Sequence, residues 1–199
     1  MSLAGARFPR SGIAAHSKLR SVQFVVAIDP ARRRALLLIV VGGMLLAGAW
    51  LRYTALDRLE LFVDEGGHLL APVDADVRRV IDPVGEGKAA MGWFFWVASA
   101  LPAEPLVVAR SLVATCGLIT AVAIAATLYL LFNGTVAVIG LGLWLFLPFA
   151  VFHERLALFD PVIATLIACS LTALTLGSRP SSRAAHRIAW CALGGLLAG

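Results

Sequence analysis

Charge is what this sequence has least of. Of its 199 residues, 15% are Asp, Glu, Lys or Arg and 60% are apolar, with a mean hydropathy of +0.87. A soluble domain of this length needs far more polar surface to cover its core, so the composition points to an integral membrane protein. Cysteine is scarce as well. Cys116, Cys169 and Cys191 lie in apolar surroundings without metal-ligand spacing, so they suggest no metal centre and are read as buried, inert thiols. At the middle of the long apolar segments the polar groups are limited to hydroxyls such as Thr115, Thr120 and Thr127. An ion or solute path through a transporter needs more than that at mid-span.

The charge that is present is unevenly placed. The first 34 residues carry Arg7, Arg10, Lys18, Arg20, Arg32, Arg33 and Arg34 against Asp29 alone. A basic arm beside an apolar run is read as held in the cytoplasm rather than bound to nucleic acid. Residues 1–34 are expected to be disordered, being rich in Gly, Ser, Pro and basic residues without sustained periodicity. The run 35–51 then crosses a bilayer in the plasma (inner) membrane. Small residues at Ala47-Gly48-Ala49 would also suit a cleaved signal peptide, but the region ahead is unusually long for one, which favours a retained signal anchor. Eight of the twelve acids fall between Tyr53 and Gly87. That polar loop, 53–88, is the expected functional loop, with a short surface helix over 69–81.

The fold expected is all-α, a polytopic membrane helix bundle with an acidic extracytoplasmic first loop. Further spans fall at about 106–132, 135–152 and 161–176, and 188–199 is a span cut short. The chain is therefore expected to be the N-terminal part of a longer protein. The apolar run 89–101 is too short to cross and is read as re-entrant or interfacial. That reading places the arginine-bearing linker 177–187 inside, with Asp64 and Asp160 sharing the outer face.

Four places carry possible chemistry. Asp64-Glu65 follows the apolar Leu61-Phe62-Val63 at the membrane boundary, with Gly66-Gly67 leaving room for close approach and His68 adding a titratable neighbour. His153-Glu154-Arg155 through Asp160-Pro161 lies between two spans, and Asp160-Pro161 reads as a helix start with aspartate capping. Local pairing of Arg155 with Glu154 or Asp160 is the plain structural alternative. Lys88 opens the aromatic run Trp93-Phe94-Phe95-Trp96, either as an interface anchor or as a phosphate partner. Arg110, near the start of a span, reads as a snorkelling side chain.

The order of these pieces resembles the GT-C-fold membrane glycosyltransferases, with the protein O-mannosyltransferase and aminoarabinose transferase families nearest. The Asp-Glu pair of those families matches Asp64 and Glu65. Their Lys-Pro-Pro-Leu segment corresponds to Lys88-Ala89-Ala90-Met91, which keeps the lysine and loses the prolines. Their later acidic motif resembles Arg155 through Asp160, and 192–199 resembles their glycine-rich helix. The resemblance implies an inverting transfer from a polyprenyl-phosphate-linked sugar to an acceptor of unspecified kind at the extracytoplasmic face. It implies Asp64 and Glu65 as catalytic residues, with Lys88 and Arg155 on the donor phosphate. A divalent cation on Asp64 and Asp160 is an open part of that reading, and the donor's lipid tail would lie beside 93–96. A transporter fragment and a non-catalytic or truncated membrane subunit are the alternatives.

Overall fold

A computed structural model describes residues 29–70, 94–98, 100–179 and 184–198, and its regular structure there is entirely helical. Helix α1, Pro30–Tyr53, starts earlier than the apolar run. Asp29 accepts a hydrogen bond from the Ala31 N–H at 3.1 Å and Pro30 takes the first turn, so Arg32 to Arg34 are helical. A single 3₁₀ turn, Leu56–Arg58, follows, and then α2, Val63–Leu70. A short helical stretch over 94–98 precedes α3, Pro105–Leu131. The chain ends in α4 (Gly134–Phe146), α5 (Pro148–His153), α6 (Asp160–Gly177) and α7 (Ala184–Ala198).

Among the described residues, three stretches are long and apolar enough to cross a membrane: Arg34–Arg58, Pro105–Leu131 and Asp160–Gly177. At about 1.5 Å per residue, the 27 residues of α3 extend roughly 40 Å and the 18 of α6 roughly 27 Å. The segment expected to run unbroken over 135–152 does not, because it breaks between α4 and α5. Pro148 has no N–H for the carbonyl of Trp144, and its ring crowds that carbonyl, so α4 stops at Phe146.

Side-chain placement is inverted relative to a soluble protein. Leu46 is 75% and Leu38 72% exposed, whereas Arg52, Arg110 and Glu65 are each 0% exposed. Large apolar groups face outward while these three charges lie within, as expected when the surroundings are themselves apolar.

Helices α3 and α6 run parallel and are joined by two hydroxyl pairs. Thr120 meets Thr165 at 2.8 Å, and one heptad further on Thr127 meets Thr172 at 2.9 Å. Thr165 and Thr172 also donate to the carbonyls of Cys116 and Ala123. Helix α4 packs on α3 through Ala121, Leu141 and Leu145, with Val41, Met44 and Leu45 of α1 against the same cluster. Helix α7 docks on α6, where the Ser170 hydroxyl donates to the Gly194 carbonyl at 2.6 Å. Of the three thiols, Cys191 is exposed on α7, against the buried reading, while Cys116 and Cys169 are half-buried; all three are free.

Candidate functional site

The acidic pair is not in a loop. Asp64 and Glu65 occupy the first turn of α2, where acids oppose the positive end of the helix dipole. Glu65 Oε2 accepts from the backbone N–H of Phe62 at 2.9 Å, the reciprocal half of a capping box. The same carboxylate is gripped by Arg110, with Nε on Oε1 at 2.8 Å and Nη2 on Oε2 at 2.7 Å. Oε1 also accepts from the Ala157 N–H at 2.6 Å. Both oxygens of Glu65 therefore carry two hydrogen bonds each, and no lone pair is left for a substrate. Burial pushes the Glu65 carboxyl upward, but the bonds from Arg110, Ala157 and Phe62 and the Arg110 charge outweigh it and hold it below its ordinary value.

Arg110 is used just as fully. Its remaining N–H groups go to the carbonyls of Leu56 at 2.7 Å, Leu59 at 3.0 Å and Glu60 at 3.0 Å. All five donors of the fork are placed, so the snorkelling reading is corrected: the guanidinium turns inward and organises the chain between α1 and α2.

A second clamp sits beside it. Arg52, in the last turn of α1, pairs through Nε with Glu154 Oε2 at 2.5 Å. Its other nitrogens reach the carbonyls of Gly48 at 3.1 Å, Leu145 at 2.9 Å and Trp144 at 3.4 Å. The last two are the carbonyls that the break at Pro148 leaves without helical partners. Trp144 Nε1 donates to Glu154 Oε1 at 2.9 Å. Burial pushes the Glu154 carboxyl above its ordinary value, offset only in part by Arg52 and Trp144.

The clamps place the remaining candidates. Arg155 forms no local pair with Glu154 or Asp160; Nη2 donates to the Thr54 carbonyl at 2.7 Å. Its Nε is buried without a hydrogen-bond partner among the described residues. Asp160 opens α6 but makes no capping hydrogen bond, since the cap position falls on Phe159. Its exposed carboxylate lines a cavity of about 420 Å³ with Trp144, Phe149, His153, Glu154 and Pro161. Asp64 is exposed and is not among the described walls of that cavity.

The structure thus gathers the end of α1, the start of α2, the start of α3, the end of α4 and the start of α6 at one end of the molecule. The turn at Asn133 and Arg179, which donates to the Leu130 carbonyl at 3.4 Å, lie at the other. Phe95 and Ala98 pack on Ala109 and Ala157, so 94–98 lies at the first end as well. Lys88, with the rest of 71–93, lies outside the described residues. Among the described residues no three His, Cys, Asp or Glu side chains converge on a metal-sized site.

The clamp residues Arg52, Trp144 and Glu154 were not singled out as a unit by the sequence. Their one legible signal is an arginine within a turn of an apolar run's end, with acids waiting in the neighbouring connections. No family model, curated protein or solved structure matches this chain.

Proposed function

We propose that the chain is part of a multi-pass membrane glycosyltransferase of the GT-C kind, taking sugar from a polyprenyl-phosphate-linked donor at the extracytoplasmic face. One observation carries this reading. The Glu65 carboxylate binds both Arg110 and the Ala157 N–H, tying the helix that bears Asp64 to the segment that runs on into Asp160. Two acidic motifs far apart in sequence are thereby held at one end of a molecule whose outer surface is apolar. With the basic arm in the cytoplasm, that end faces outward.

In this reading Asp64 is the residue that reacts, because its carboxylate is exposed and makes no hydrogen bond among the described residues. It accepts the proton of the acceptor hydroxyl as that oxygen bonds to the sugar's anomeric carbon and the sugar–phosphate bond breaks. Arg155, whose buried Nε has a donor unspent, takes the departing phosphate. Glu65 is assigned to holding Asp64 in place rather than to proton transfer. Asp64 and Asp160 are the carboxylates that would hold a divalent cation, with water and the donor phosphate completing its shell.

The test has two parts. Alkaline phosphatase fused after Glu65 and after Pro161 is expected to be active in cells at both points. Activity after Glu65 alone would separate the two motifs by the bilayer and overturn the shared site. Asp64→Asn in the whole protein is then expected to abolish sugar transfer at unchanged protein level, and normal transfer by that variant removes the assignment.

A further inference from the structure

The end of the molecule away from Glu65 carries charge of one sign. From Pro105 to Gly199 the acids are Glu154 and Asp160 alone, and both belong to the end that holds Glu65. The other end, where α6 finishes and α7 begins, has Arg179 and Arg187 and no carboxylate of helices α3 to α7. A cavity of about 550 Å³ opens there, between Gly177 and Ser178 at the close of α6 and Ala184, Arg187, Ile188 and Cys191 on the first turns of α7. Its size falls within the roughly 300–1,000 Å³ of small-molecule sites. Gly177 draws its walls together. A Cβ at 177 would lie 2.7 Å from Cys191 Sγ and 3.2 Å from the Arg187 carbonyl oxygen, so α7 rests directly on the backbone of α6.

Arg187 is held in that cavity by a single bond. Its Nε donates to the Gly177 carbonyl at 3.3 Å, which answers one of the carbonyls left over at the negative end of α6. Capping α6 would employ that one donor and leave the rest of the fork idle. The two Nη groups carry four further N–H donors and make no hydrogen bond among the described residues. Beside them Ile188 is exposed and apolar. A guanidinium with donors to spare, next to an exposed aliphatic side chain at the end of a helix long enough to span, stands where headgroups give way to acyl chains.

We propose that this cavity binds the headgroup of an anionic phospholipid, with the Nη groups of Arg187 on its phosphodiester and its chains running past Ile188. Charge selects the occupant. A zwitterionic lipid brings a cation of its own toward Arg179 and Arg187, whereas phosphatidylglycerol brings net negative charge to an end where no carboxylate of α3 to α7 competes for the arginines. The site requires only that α6 spans the bilayer, so it stands apart from the reaction at the other end. With the basic arm in the cytoplasm, the lipid belongs to the cytoplasmic leaflet.

Cys191, an exposed thiol in the cavity wall, is the reporter. The chain with Cys116→Ala and Cys169→Ala is placed in phosphatidylcholine nanodiscs with rising fractions of phosphatidylglycerol and treated with an uncharged maleimide. Modification of Cys191 is expected to slow as phosphatidylglycerol rises. Arg187→Gln is expected to raise the fraction needed for half-protection about fivefold, the factor that one arginine at an anionic membrane surface contributes. Arg34→Gln, which removes a basic residue on α1 instead, is expected to leave that fraction unchanged. Inorganic phosphate added to pure phosphatidylcholine discs is expected to give no protection, since a free anion has no chains to anchor it. Protection by phosphate equal to that by the lipid overturns the proposal, as does an equal shift for Arg34→Gln. A rate that ignores lipid composition, as when a second copy of the chain covers the cavity, overturns it too. Thermal unfolding in detergent gives a second readout. Phosphatidylglycerol is expected to raise the melting temperature of the parent more than phosphatidylcholine does, and the same rise in Arg187→Gln, or none in the parent, sinks the site.

Discussion

Asp64 and Glu65 are neighbours in sequence and opposites in environment. The first is exposed and makes no hydrogen bond among the described residues; the second is fully buried and accepts four. A pair that looks like duplicated chemistry divides into one group free to react and one that holds it.

Stability separates the two. Glu65→Gln leaves the Arg110 charge buried without its partner, and removing one member of a buried pair costs about 3–5 kcal/mol. Asp64→Asn, at an exposed position without bonds, is expected to stay within about 0.5 kcal/mol of the parent. Thermal unfolding of both variants in detergent checks this, and equal losses would contradict the division of labour.

Arginine cannot be replaced by lysine at 110. The guanidinium places five donors on Glu65, Leu56, Leu59 and Glu60, whereas an ammonium has three in a different geometry. Arg110→Lys keeps the charge and is still expected to leave at least two acceptors unpaired, at about 1–3 kcal/mol each. The same unfolding assay reads it, and a parent-like melting temperature for Arg110→Lys would show that the fork is not needed.

Acid should affect the two clamps in opposite senses. Glu65 lies below its ordinary value of 4.5 in the folded chain, so its contribution is complete above 4.5 and is lost as pH falls through the lower folded value. Glu154 lies above 4.5 when folded, so its contribution is complete below 4.5 and is lost as pH rises through the raised value. The stability gap between parent and Glu65→Gln is therefore expected to close only below 4.5. The gap between parent and Glu154→Gln is expected to be largest there and to shrink toward neutral pH. Melting temperatures across that range, measured for the parent and both variants, test the two signs independently.

Gly117 is matched to Glu154. A Cβ at 117 would overlap the glutamate carboxyl, which Arg52 and Trp144 leave no freedom to retreat. Gly117→Ala is expected to cost about 1–3 kcal/mol despite the usual gain of replacing glycine within a helix. If Gly117→Ala melts at or above the parent temperature, the carboxylate is less tightly held than its bonds indicate.

Much of the helical plan was legible in the sequence, and the reason is that hydropathy reports helix length directly. The stretches at 106–132 and 161–176 lie within one or two residues of α3 and α6, because each is bounded by Pro, Asn, Asp or Gly. The stretch 135–152 was read as one helix because hydropathy is blind to the missing N–H of Pro148. The site was legible in composition but not in partnership. Asp64, Glu65, Arg155 and Asp160 stand out as polar groups in an apolar chain, yet nothing local says that Glu65 turns inward to Arg110, 45 residues away. The same holds for Arg110: a basic residue near a helix end has two places to go, and only Glu65 and the carbonyls of Leu56, Leu59 and Glu60 decide between them.

The clamp at Arg52 has a consequence for how the chain is made. Its carboxylate partner follows 102 residues later, and the two carbonyls of α4 more than 90 residues later. At about 5–20 residues per second, synthesis leaves that arginine without its partner for roughly 5–20 s. During that interval the end of α1 can rest only where its guanidinium reaches water or headgroups. Arrival of Glu154 is the first moment at which the helix can settle to its final depth.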